Sequence, residues 1–202
     1  EIRLSLVGSE MCIRDSYYVV HSNTATISNS SEDGKYSIQE GDSTPASVSA
    51  NTTLIFAKDC NLTIDSNLSS AVSVGDIQTS GNLEIVDNNA SGQHATIKII
   101  TANGALTMND YYGIVSGDIS AVGNISLAGN GLSGTIGTAG ANNTISTSAG
   151  TITIKMASSG TLNSNVKNTG TGDIFVTNSN TQKTVTSDIT AEQGTVYLKG
   201  YN

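Results

Sequence analysis

The side chains that could do chemistry are few and scattered. Two histidines, His21 and His94, stand in unrelated stretches, and neither belongs to a nucleophile motif such as Gly-x-Ser-x-Gly. Both are expected to be solvated loop residues. Carboxylates are more numerous. Asp76, Asp118, Asp173 and Asp188 recur beside Gly, Ser or Thr, the setting in which a carboxylate bonds its own turn. Grouped on one face, such residues could cleave a glycosidic bond as acid and base, or hold Ca²⁺ beside an acidic sugar. Both arginines, Arg3 and Arg14, precede residue 17, so no guanidinium is available downstream to neutralise a uronate. Cys12 and Cys60 could form at most one disulfide and make no thiolate metal site. No catalytic residue, metal site or cofactor is expected.

Composition narrows the elements that must carry these groups. Gly, Ser, Thr and Asn number 21, 28, 25 and 20 among 202 residues, with one Pro and no Trp. This suits tight corners and a thin core. Nine basic against 17 acidic residues give a net charge of −8 without a local basic patch, which argues against nucleic-acid partners. No apolar run is long enough for a transmembrane helix.

A repeat organises the chain from Cys60 onward. With Cys60, Gly81, Gly104, Gly123, Gly150, Gly172 and Gly194 as anchors, the spacings are 21, 23, 19, 27, 22 and 22. Two and four residues past each anchor stand apolar pairs: Leu62 and Ile64, Leu83 and Ile85, Leu106 and Met108, Ile125 and Leu127, Ile152 and Ile154, Ile174 and Val176, Val196 and Leu198. Polar or aromatic residues lie between them, so each pair marks a short strand with one buried face. A second strand is signalled by Asp76-Ile77, Asp118-Ile119 and Asp188-Ile189. Cys60 is expected to fill a corner that glycine takes elsewhere, and Asn61, Asn82 and Asn124 to form an amide ladder that Thr151 and Asp173 interrupt. Strands this short can bury their apolar faces only by stacking on neighbouring repeats. The scarcity of aromatics and hairpin dipeptides argues against an antiparallel sandwich, and β-branched residues at alternate positions oppose helical repeats. The expected fold is all-β, a parallel β-helix (β-solenoid) of about eight coils with a repeat of about 22 residues.

Three segments are expected: 1–16, an irregular strand and loop over 17–50, and solenoid repeats over 51–202. The loop covers Glu32 to Ala50, after a strand around Thr24 to Ile27, and an insert runs from Asn130 to Ala149. The string Leu6 to Ser16 resembles the translation of a transposase adapter used in preparing sequencing libraries, which implies that residues 1–16 are foreign to the fold. Asn-x-Ser/Thr triplets are frequent, as the composition alone would make them.

Phe175 and Tyr197 occupy the same outward position 22 residues apart, one repeat beyond Thr153, and are expected to stack, either as plain structural support or as a ligand platform for a sugar face or a partner's side chain. The phrases Gly81-Asn82-Leu83-Glu84-Ile85, Asn103-Gly104-Ala105-Leu106, Gly117-Asp118-Ile119-Ser120-Ala121-Val122-Gly123-Asn124-Ile125 and Gly194-Thr195-Val196-Tyr197-Leu198 resemble the degenerate repeats of filamentous-haemagglutinin-type adhesins and of autotransporter passengers. The resemblance covers about residues 51–202. It implies a secreted rod on a bacterial surface, non-catalytic and without cofactors, with host-cell or matrix surfaces and glycans as partners. A polysaccharide-active β-helix, lyase or hydrolase, and a purely structural spacer are the alternatives. A cleft of two or three carboxylates with sugar-stacking aromatics would favour the enzyme.

Overall fold

The computed structural model describes residues 34–38, 53–56, 59–64, 72–87, 94–179 and 186–200. Cys12, His21 and the segments 1–33 and 39–52 lie outside them. All regular elements among the described residues are strands, and every strand pairing is parallel. The chain is a β-solenoid of about five turns with a repeat of about 23 residues. The first sheet stacks eight strands, as many as the coils expected, but the count of turns is lower than eight.

That first sheet stacks Gly34–Ile38, Cys60–Ile64, Leu83–Asp87, Leu106–Thr107, Ile125–Leu132, Ile152–Met156, Ile174–Asn178 and Val196–Lys199. In the second, the eight-residue strand Ala95–Ala102 pairs with both Ile114–Val115 and Ile119–Ala121. One long strand therefore becomes two short ones in the next coil, separated by the corner Ser116-Gly117-Asp118. Gly117 is required there: a Cβ would lie 2.5 Å from the Lys98 carbonyl oxygen of the coil below.

The period-two pattern does what stacking demands. In the first sheet Leu83, Leu106, Ile125, Ile152, Ile174 and Val196 lie in one register, and all but Val196 are buried. In the second, Leu54, Ile77, Ile100, Ile119, Ile145, Val166 and Ile189 form a matching column. Each full burial of a Leu or Ile contributes about 1.5–3 kcal/mol. Coil upon coil, these columns replace the thick core that the composition could not supply.

Several expectations need correction. Cys60 is not a corner: it pairs with Leu83, and Leu62 with Ile85, so the first coil is shifted by two residues relative to the anchor frame. Cys60 is an inward core residue, 4% exposed. Its thiol is a free one, pushed up to about 12 by desolvation. The apolar pair Val196 and Leu198 is also less buried than its fellows, with Leu198 51% exposed, because no described strand covers Val196–Lys199. The expected loop from Glu32 contains strand Gly34–Ile38, in register with Cys60–Ile64. The insert from Asn130 to Ala149 is mostly coil, carrying strands Thr135–Ile136 and Thr144–Thr147. Its extra length is taken up by a bulge before Leu132 and a turn through Gly137 and Gly140.

The amide ladder exists in a different form. Asn61 is not part of it, since its side-chain amide donates to Glu84 Oε2 on the outer face. The column is the residue that precedes each first-sheet strand. Asp59 Oδ1 accepts the Asn82 N–H (2.7 Å), Asn82 Oδ1 that of Ala105 (2.8 Å), Asn124 Oδ1 that of Thr151 (2.9 Å) and Asp173 Oδ1 that of Thr195 (2.8 Å). Asp173 therefore belongs to the ladder. A carboxylate does the same work as an amide here because the bond needs only a side-chain oxygen at that reach.

Candidate functional site

The outward column of the first sheet runs Asn61, Glu84, Thr107, Ser126, Thr153, Phe175, Tyr197. Small polar side chains fill its middle and aromatic ones its last two places. The Phe175 and Tyr197 rings stack with centroids 4.7 Å apart and planes within 4°. That separation is the strand spacing itself, so parallel register alone brings the rings together. Mutual stacking occupies one face of each ring. Ring edges and the remaining faces are left for contact, and Tyr197 is 48% exposed. Lys155, Thr177 and Lys199 form the neighbouring outward column, so the aromatic pair is bordered by two lysines. The Lys155 ammonium donates to the Gly129 carbonyl at 2.9 Å. Lys167 is held elsewhere, paired with Glu192 at 2.9 Å.

The four corner aspartates are not brought together. Asp118 Oδ1 accepts the Thr144 N–H (2.9 Å) and Asp173 Oδ1 the Thr195 N–H, while the Asp188 N–H donates to Asn165 Oδ1 (3.0 Å). None of these bonds lies within the aspartate's own turn, where turn chemistry would place it. The Asp118 and Asp173 carboxylates tie a corner to the next coil, and Asp188 is tied to the coil before it through its backbone N–H. Asp76 lies in strand Val72–Thr79, with Oδ1 buried and unpaired.

A different set of carboxylates converges. Glu84, Asp87 and Asp110 line a cleft of about 380 Å³ together with Asn109, Tyr112 and Asn130. Asp87 ends strand Leu83–Asp87 with its side chain wholly buried, and its Oδ2 accepts the Tyr112 N–H at 3.2 Å. Asp110, at φ 55, accepts the Asn130 N–H on Oδ1 (2.5 Å). His94 stacks on Tyr112 with centroids 5.9 Å apart and sets Nδ1 3.9 Å from Asp87 Oδ2. It is therefore a packed residue and not the solvated one expected. Neighbouring Tyr111 is fully buried, its hydroxyl donating to the Ala95 carbonyl (2.9 Å), and burial followed by the Asp87 charge holds its phenol well above the usual range. The signal for this cleft was Asn109-Asp110-Tyr111-Tyr112, a polar and aromatic run unlike any other coil end. Periodicity passes over it because it lies between strands.

No group of three or more His, Cys, Asp or Glu side chains suited to a metal ion occurs among the described residues, and no helix there is long and apolar enough to cross a membrane. No family model, curated protein or solved structure matches this chain.

Proposed function

We propose that this chain is part of a secreted bacterial surface adhesin, an elongated β-solenoid rod that attaches to host-cell or matrix surfaces, glycans among them, without catalysis. One observation carries the reading: a regular rod whose outward strand positions are small and polar presents a stacked aromatic pair, Phe175 and Tyr197, at its surface. Aromatic edges beside lysine stems offer apolar contact that Ser and Thr cannot. The repeat phrases that resemble filamentous-haemagglutinin-type adhesins support the same reading. The test is binding of the purified chain to a glycan array and to epithelial cells, with parent and Phe175→Thr/Tyr197→Thr side by side. Threonine keeps strand propensity, so the double variant stays folded. Loss of binding supports the platform. Full binding by the folded variant moves the adhesive site elsewhere, and no binding by either protein favours a spacer.

The cleft favours a second reading, a polysaccharide-active β-helix, since it gathers three carboxylates and Tyr112. Two of them, however, accept backbone N–H bonds from Tyr112 and Asn130. Both carboxylates are thus engaged in holding the chain's own backbone, the work of structural acceptors. Release of reducing ends from acidic or neutral polysaccharides, abolished by Glu84→Gln, would establish the enzyme.

A further inference from the structure

The sequence holds two Asn-Gly dipeptides, Asn103-Gly104 and Asn130-Gly131, and both asparagines are exposed. The fold treats them differently. Asn103-Gly104 is a corner bonded into the stack: the Asn103 N–H donates to the Thr79 carbonyl (3.0 Å) and the Gly104 N–H to the Gly81 carbonyl (2.9 Å). The Gly104 backbone also presses against the coil below, where an added Cβ would meet Asn82 Oδ1 at 2.5 Å. Asn130-Gly131 lies in a bulge. Strand register passes from Leu127–Ile154 directly to Leu132–Met156, so residues 128–131 oppose the single residue Lys155. Gly129 and Gly131 take φ of 70° and 132°.

From this contrast we infer that Asn130 is a site of spontaneous, structure-selected deamidation, a modification independent of the adhesive reading. The Gly131 amide nitrogen attacks Asn130 Cγ. A Cγ–N bond forms, the Cγ–Nδ2 bond breaks, and Nδ2 leaves as ammonia with the proton from Gly131. Water then opens the five-membered imide to aspartate or isoaspartate. Glycine has no side chain to shield the attacking nitrogen. Asn130, outside the strand register, is tied to the Asp110 side chain through its N–H at 2.5 Å and a long 3.5 Å bond from Nδ2, so the amide group to be attacked is only weakly held. Asn103 cannot reach the attack geometry, because Gly104 would first have to leave its bond to Gly81.

The product has a defined local effect. Asn130 Nδ2 donates to Asp110 Oδ2 (3.5 Å), and both residues line the cleft that already holds Glu84 and Asp87. Deamidation exchanges that donor for a carboxylate facing Asp110, giving the cleft a fourth negative charge. Isoaspartate at position 130 would also lengthen the backbone by one carbon, which a bulge outside the strand register accommodates and a ladder position does not.

The experiment incubates the whole folded chain at mildly alkaline pH and body temperature and follows the mass gain by peptide mass spectrometry. Chymotryptic cleavage at Tyr111 and Tyr112 separates the two sites. Asn130 is expected to convert at least about tenfold faster than Asn103 in the folded chain, while in denaturant the two rates converge. Isoaspartate-specific methyl transfer should label the peptide containing residue 130. Equal rates in the folded chain, or an Asn103 that converts first, would overturn the inference. So would an Asn130 that survives folded while converting readily in denaturant.

Discussion

Asn168 shows how much one side chain can hold in a fold with so thin an interior. It is wholly buried, its amide donates to the Gly150 and Gly172 carbonyls at 2.7 Å each, and its Oδ1 accepts the Gly170 N–H at 2.9 Å. Asn168→Ala would strand one donor and two acceptors, so a loss of about 2–3 kcal/mol in denaturant unfolding is expected. Cys60 and Tyr111 make a pH prediction together. Both are acids whose charged forms burial disfavours, and both have folded pKa values raised above the unfolded ones. Stability from such groups is complete below the unfolded pKa and falls as pH rises towards the folded one. Denaturation midpoints should therefore be flat from pH 6 to 8 and fall from about 9 towards 12, with the Cys60→Val variant losing less over that range. A midpoint that rises with alkali would contradict the assignment of both groups to the core.

Among the elements, the alternation of inward and outward residues is the feature most open to test. Ile125→Asp places a charge between stacked coils and is expected to unfold the neighbouring repeats, a loss of more than about 4 kcal/mol, whereas Ser126→Asp on the outer face should change stability by under about 0.5. Equal effects on circular dichroism melting would break the assignment. The corners make a second contrast. A Cβ on Gly172 would stand 2.1 Å from the Gly150 carbonyl oxygen, so Gly172→Ala should lower stability by about 1–3 kcal/mol through overpacking alone. Gly140 has open space around it, and Gly140→Ala should show only the smaller strain of its φ of 78°. The strands themselves could be read from Leu, Ile and Val at alternate places, because inward stacking tolerates nothing else there. The first coil could not be framed: Cys60 is small enough for a corner and apolar enough for the core, and only its pairing with Leu83 decides. The cleft escaped for a related reason. Glu84, Asp87, Asp110 and Asn130 meet through a coil spacing set by the bulge before Leu132, a length that no residue pattern announces. Phe175 and Tyr197 were legible because identical places in a parallel stack must become neighbours.

At the scale of the molecule, each coil touches chiefly the one before and the one after it, so stability is distributed along the axis instead of being held in one centre. Amide hydrogen exchange should show this directly. Strands Leu106–Thr107 through Ile174–Asn178, enclosed on both sides, are expected to exchange last. Val196–Lys199, with Val196 and Leu198 incompletely buried, is expected to open about ten times more readily. Uniform protection along the rod would point to a single cooperative unit.

The corner ladder carries one more consequence, for how such a rod can change over generations. Its bonds share one polarity: Asp59, Asn82, Asn124 and Asp173 offer an oxygen from one coil, and the acceptor's partner in the next coil is a bare peptide N–H, whether of Asn, Ala or Thr. The bond makes no demand on the neighbour's side chain beyond the hydrogen that proline lacks. A duplicated or deleted coil therefore meets compatible chemistry on both sides without any compensating substitution. Length becomes a quantity that simple recombination between repeats can adjust while the joints stay intact, and coils can drift in sequence along the stack, from Asn-Leu-Glu-Ile at 82–85 to Asp-Ile-Phe-Val at 173–176, and still offer the same oxygen.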